Sequence, residues 1–326
     1  MNSSNAVKQR PPAPAFPAAA ASVLFITIMV LAAELSGEPD IMFPVAAALT
    51  IGGRAARRQP WIVSRPKMWC LMAAVSLAGV CAACYSPLPK AVNVSLMFAV
   101  ISVRLLSAGA TFFPVFAAGI LPIMLGIRTF VYPLSVITLV TCVALVQRIL
   151  ESRGLREPNP SGPWPRDLRK EGVRFFLLWI LVTACAVLTI RFRVPFMIAP
   201  PLLVGTAQLS DPESPAARRS LHCWLLLSLC GAAGAYLRLL LCFRLGMPAW
   251  LAAAVVMTVA LALVYLLNLY LPPAGATAIL PFLIPRGALL VYPVEVAAGF
   301  AILCLASSGI RRVVRAVRPG AQEQTQ

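Results

Sequence analysis

The chain has 326 residues, of which 60% are hydrophobic and only 12% charged, with a mean hydropathy of +0.84 and a formal net charge of +17. A soluble domain of this size could not hide so much apolar surface, and several stretches reach the roughly 20 apolar residues needed to cross a hydrocarbon core of about 30 Å. A β-barrel would need alternating polarity in place of the long Leu, Ala and Val runs. The excess of Lys and Arg lies in short connections beside apolar helices, where it sets orientation and does not signal nucleic acid.

Residues 1–17 read as a polar tail carrying Lys8 and Arg10. The apolar run from Ala18 to Leu35 is too long for a secretory h-region and no small-residue cleavage site follows it, so it reads as the first membrane helix. Further long spans are predicted over 68–84, 90–106, 129–149, 173–191, 220–241, 248–270 and 289–309. Between them lie shorter apolar pieces broken by Pro and Gly, over 41–53, 107–127, 195–209 and 271–287. Residues 151–172 are polar and rich in Pro, Gly and Arg, as a linker should be. The expected organisation is therefore an all-α polytopic membrane protein. One membrane repeat covers 18–150, a second covers 173–312, and a tail covers 313–326. Each repeat has four long spans and two short Pro/Gly-broken segments.

The distribution of basic residues tests this drawing. If the short pieces also cross, each half crosses six times. Lys8 and Arg10, the run from Arg54 to Lys67, the linker, Arg218 and Arg219, and the tail from Arg311 to Arg318 then share one side. That side should be cytoplasmic, with both termini there and the protein in the inner membrane. A piece of about 13 residues rises only about 20 Å as a helix, so it must be partly extended or lie where the protein is thin. An even number of crossings gives both halves the same orientation, which makes the repeats parallel and not inverted.

Sequence recurrences point the same way. Ala108-Gly109-Ala110-Thr111 returns as Ala274-Gly275-Ala276-Thr277, and Val131-Tyr132-Pro133 returns as Val291-Tyr292-Pro293. Phe43-Pro44-Val45-Ala46 has a looser counterpart in Ile198-Ala199-Pro200-Pro201. The recurring Ala-Gly-Ala-Thr is expected to need one backbone geometry in both halves, with Gly109 and Gly275 permitting close approach or positive φ. Thr111 and Thr277 would each offer a hydroxyl to a solute path. The competing account is helix packing, in which small residues let helices approach and Pro ends them.

Glu295, one turn into the last span, is the other candidate for the path, because a carboxylate at membrane depth usually faces the bundle interior. Arg104, Arg238 and Arg244 are expected to snorkel to the head groups. The one histidine, His222, stands at a span edge, and the nine cysteines read as small core residues, the Cys81/Cys84 pair included. With no P-loop, Rossmann glycines, nucleophile–base set or metal motif, neither enzymatic activity nor a cofactor or metal is expected.

The second half resembles the HPP family of integral membrane proteins. The resemblance covers about residues 173–312. It rests on Asp211-Pro212-Glu213-Ser214-Pro215-Ala216-Ala217, on Pro272-Pro273-Ala274-Gly275-Ala276-Thr277-Ala278, and on Tyr292-Pro293 opening the last span. Leu271 stands where the histidine that gives the family its name would precede the two prolines. The resemblance implies compact four-helix membrane modules, some associated in plastids and cyanobacteria with nitrite transport. The expected function is transport of a small solute, such as the inorganic anion nitrite, along a path lined by Gly109, Thr111, Gly275, Thr277 and Glu295. The lipid bilayer and a second copy of the chain are the expected partners. A non-transporting scaffold or assembly subunit is the alternative.

Overall fold

A computed structural model describes residues 16–52, 61–154 and 167–317. The described residues form helices and connections, with no strand among them. Eight helices are long and apolar enough to cross a membrane: α1 (Phe16–Ser36), α3 (Arg65–Tyr85), α4 (Lys90–Ala108), α6 (Val131–Ser152), α7 (Leu168–Arg191), α9 (Ser220–Arg238), α10 (Ala249–Leu266) and α12 (Tyr292–Ala316). Four are short: α2 (Val45–Thr50), α5 (Pro114–Leu125), α8 (Pro200–Leu209) and α11 (Pro273–Ile279). The chain is thus a helical protein of multi-pass membrane character. Large apolar side chains such as Leu24, Leu134, Leu188 and Leu305 are exposed on the long helices, as lipid-facing residues are.

Local chemistry sets the helix limits. Pro66, Pro114 and Pro293 sit in first turns, where a missing N–H costs nothing. Helix α4 stops at Gly109, which takes φ +59 and closes the C-terminus with Ala110 N donating to Leu105 O. Helix α10 ends in the same way with Asn268 at φ +46 and Leu269 N donating to Val264 O. Helix α7 starts at Leu168, five positions before the predicted 173, because Asp167 caps it by accepting from Arg169 N. Arg54, Arg57 and Arg58 fall outside the described residues.

Side-chain ties show which ends of the helices lie together. Arg65 opens α3 and pairs with Glu151 at the close of α6. Asp40, just after α1, accepts from Thr129 just before α6, and Ser135 donates to Ile41 O at 2.6 Å. Because α6 runs the length of the bundle, residues 40 and 65 stand at opposite ends, and the segment holding α2 must traverse it. The same logic applies to α5: Lys67 Nζ donates to Ala108 O at 2.9 Å at one end, and Cys84 Sγ donates to Arg128 O at 3.3 Å at the other. In the second half, Arg311 reaches Leu209 O at the end where α12 closes, and Glu295 reaches Phe196 N where α12 opens, so α8 also traverses. Helix α11 leaves the connection gripped by Arg219 (to Asn268 O, 2.8 Å) and arrives where Arg238 binds Pro281 O and Ile284 O. The end holding Arg65, Lys67, Arg219 and Arg311 is called the near end below, and the opposite one the far end. Helices α5, α8 and α11 are seven to twelve residues long and rise about 10 to 18 Å, so 3-10 turns and non-helical backbone complete those three traverses.

The short helices make the centre. Every residue of α2, α8 and α11 is buried, and in α5 all but the last two. Helix α2 packs on α11 and α5 on α8, while α1 lies along α10 and α7 along α4. The first helix of each sequence half therefore leans on the other half. Glycines allow the closest backbone approaches. A Cβ on Gly79 would stand 2.4 Å from Gly119 O, one on Gly234 would stand 2.1 Å from Ala278 O, and one on Gly299 would stand 2.1 Å from Met197 O, so backbones touch there.

One expectation fails. The two Ala-Gly-Ala-Thr copies do not share a geometry. Gly109 is a left-handed helix stop, whereas Gly275 lies inside α11. Matching features instead recur about 159 positions apart: Gly109 with Asn268, and Ala118 O with Thr277 O as acceptors from Tyr132 and Tyr292 hydroxyls at 2.9 and 2.8 Å. At that spacing Ala274–Thr277 matches residues 115–118, not 108–111. The Tyr-Pro recurrence marks a shared environment, while the tetrapeptide recurs without one.

Candidate functional site

The five residues singled out in the sequence stand in three separate places. Gly109 and Thr111 are at the near end, in the connection from α4 to α5. Thr111 is 6% exposed and exchanges two bonds with Ile62: its Oγ1 accepts from Ile62 N at 2.8 Å, and its own N–H donates to Ile62 O at 3.1 Å. The hydroxyl thus ties the chain entering α3 to the chain entering α5.

Gly275 and Thr277 lie at the centre, on α11. Gly275 faces α2, and a Cβ there would meet Ile51 Cδ1 at 2.7 Å and Ala47 O at 3.1 Å. Thr277 is fully buried. Its hydroxyl donates to Pro273 O one turn back at 2.9 Å, and its carbonyl accepts the Tyr292 hydroxyl. A hydroxyl bonded to its own helix satisfies itself without a neighbour, which is how threonine sits in an apolar centre.

Glu295 is at the far end, half-buried on the first turn of α12. Its Oε2 accepts from Phe196 N at 2.8 Å, so a carboxylate caps the 3-10 turn Pro195–Ile198 that leads into α8. The matching position in the first half is Ser135, which holds the turn Pro39–Ile41 through Ile41 O. Both side chains fasten the entry to a short helix.

Two features escaped the sequence reading. The first is a buried charge cluster at the near end. Arg174 is fully buried, 3.0 Å from Glu171 Oε2 and 3.7 Å from Asp211 Oδ2, with its guanidinium over the rings of Phe175 (4.9 Å) and Phe113 (5.5 Å). Phe113 belongs to the connection before α5, so the cluster joins the two halves. The Glu171/Arg174 spacing of three signals a helical ion pair, but nothing local signals its burial. The second is Arg238, expected to snorkel. It turns inward, donates to Ile284 O at 2.7 Å and to Pro281 O, and packs on Phe243 and Phe282. Carbonyls left open where α11 and the turn Leu280–Phe282 end attract it more than the head groups do.

Two grooves open on the outer face. One of about 430 Å³ lies between α3 and α4, and one of about 640 Å³ lies beside the π-helical turn Leu239–Arg244 at the far end. None of the five residues lines either. His222 is exposed at the start of α9, all nine cysteines are free thiols, and no group of three metal-ligating side chains stands together among the described residues. No family model, curated protein or solved structure matches the chain.

Proposed function

We propose that the chain is a parallel two-repeat membrane protein that moves a small solute, with an inorganic anion such as nitrite the first to test. The observation that carries this reading is the position of α2, α5, α8 and α11. They are buried, helical for only part of their traverse, and packed in pairs across the two halves. Carriers built from repeats place their solute where the repeats meet and helices break, because irregular backbone at membrane depth needs protein or water around it. The paired helix stops at Gly109 and Asn268 and the paired Tyr132 and Tyr292 hydroxyls support the repeat. The HPP resemblance supports the choice of anion, and the basic near end would concentrate anions at the cytoplasmic mouth.

On this reading the described conformation is closed. The Arg174 cluster shuts the near end and the Glu295–Phe196 contact shuts the far end. Opening means one half rocking on the other, with Gly109 and Thr111 at the near-end hinge and Gly275, Thr277 and Glu295 beside the path. A scaffold is the second reading. It is favoured by the complete burial of α8 and α11 and by the Thr277 hydroxyl being bonded within its own helix.

Purified protein reconstituted into liposomes should take up at least one of nitrite, nitrate, formate or chloride, saturably and above protein-free vesicles. Folded, correctly inserted protein that moves none of them would leave the scaffold reading standing. Positions in 54–67 and 150–172, changed singly to cysteine in a cysteine-free protein, should resist an impermeant reagent applied outside intact cells. Efficient labelling there would reverse the proposed orientation.

A further inference from the structure

Helices α3 and α4 diverge on the outer face, and the groove between them has a built polarity. Its walls are apolar, formed by Leu71, Ala74, Ala78, Met97 and Val100. Its near-end mouth carries two cations, Lys67 and Arg104, and no carboxylate among the described residues lines it. Lys67 is held at the mouth by its bond to Ala108 O and stays exposed. Arg104 is exposed and makes no ion pair or hydrogen bond among the described residues. From Lys67 to Ala78 the groove follows eleven residues of one helix, about 16 Å. That is about half of a 30 Å hydrocarbon core, the depth of one leaflet.

We propose that this groove is a binding site for an anionic phospholipid of the near-end leaflet, with one acyl chain along α3 and the head-group phosphate between Lys67 and Arg104. The guanidinium can grip two phosphate oxygens while the ammonium acts as a point charge. A zwitterionic lipid offers the same chain with no net charge, and inorganic phosphate offers the charge with no chain. The site discriminates against both. The floor is tight: a Cβ on Gly119 would meet Val75 at 2.4 Å, Ile101 at 3.1 Å and Met97 at 3.2 Å. The chain therefore lies on the α5 contact without penetrating to the centre, and the site is separate from the proposed path.

Native mass spectrometry of the full-length protein tests this, using mixed micelles of phosphatidylglycerol and phosphatidylcholine with matched chains. One phosphatidylglycerol should be retained in preference to phosphatidylcholine. Replacing both cations, Lys67→Gln with Arg104→Gln, should weaken its retention about 30-fold, since each basic group near the surface contributes a factor of about five. Ala74→Phe with Ala78→Phe should abolish retention with both charges intact. In nanodiscs, maleimide labelling of Cys70, which lines the groove, should be slower in phosphatidylglycerol than in phosphatidylcholine, with the exposed Cys142 as internal control. This readout needs no variant to fold. Equal retention of the two lipids, full retention by either variant, displacement by inorganic phosphate, or equal Cys70 labelling in both lipids would overturn the proposal. Lipid-independent Cys70–Cys70 cross-linking would overturn it too, by assigning the groove to a second copy.

Discussion

Helices α9 and α10 pack along one another, whereas α3 and α4, their counterparts in chain order, part to leave the groove. The difference traces to side-chain size over the short helix beneath. In the first half Met97 and Ile101 reach over Gly119 together with Val75. At the same spacing the second half carries the smaller Val256, Ala260 and Gly234 in place of Met97, Ile101 and Val75, and a Cβ on Gly234 would stand 2.1 Å from Ala278 O. Charge differs between the halves in the same sense. Arg174 is sealed with Glu171 and Asp211, while the first half's Arg65–Glu151 pair remains partly exposed. The α9–α10 pair is thus closely packed, while the α3–α4 pair parts and leaves its groove open.

The sharpest way to break this comparison is through the charges. Arg174→Met removes a fully buried cation from beside two buried carboxylates and should cost about 3–5 kcal/mol. Arg65→Met removes a partly solvated partner and should cost about 1 kcal/mol or less. Thermal unfolding in detergent would read both, and equal losses would contradict the contrast between a sealed Arg174 cluster and a partly exposed Arg65–Glu151 pair.

Backbone contact comes next. Gly234→Ala forces a methyl against Ala278 O and should cost about 1–3 kcal/mol, and Gly79→Ala should cost less because its contact is looser. The same unfolding midpoints, compared as a pair, test the order. The Ala-Gly-Ala-Thr copies should then behave differently. Gly275→Ala presses on Ala47 and Ile51, so trimming the facing side chain by Ile51→Val should partly rescue it. Gly109→Ala forces an alanine into a left-handed conformation at a cost of about 1 kcal/mol, and Ile51→Val should not rescue it. Rescue of both, read as stability in the double variants, would mean the two copies share an environment after all.

The smallest expected effect distinguishes the two threonines. Thr111→Val leaves Ile62 N without its acceptor and should cost about 1 kcal/mol, seen also as faster hydrogen exchange at Ile62. Thr277→Val removes a bond internal to one helix turn and should change stability by less. If instead Thr277→Val lowers uptake per folded molecule while stability holds, its hydroxyl meets solute during the transport cycle, and the path reading gains over the scaffold.

Composition and hydropathy determined the helical membrane class, because long apolar runs without alternating polarity satisfy their backbone in lipid as helices and not as barrel strands. The long spans were legible for the same reason. Helix ends at Gly109 and Pro293 could be read from residue chemistry alone. Tertiary structure decided what no local window contains. It showed that Ala108–Thr111 and Ala274–Thr277 occupy unlike positions, because a tetrapeptide adopts whichever conformation its flanking helix stop imposes. It turned Arg238 inward, because unsatisfied carbonyls 43 and 46 positions away lie within its reach. It also sealed Arg174 between partners from α7 and residue 211, with Phe113 of the other half packed against it. A charge is stable in such a place only when distant segments bring its partners, and sequence spacing carries no record of that meeting.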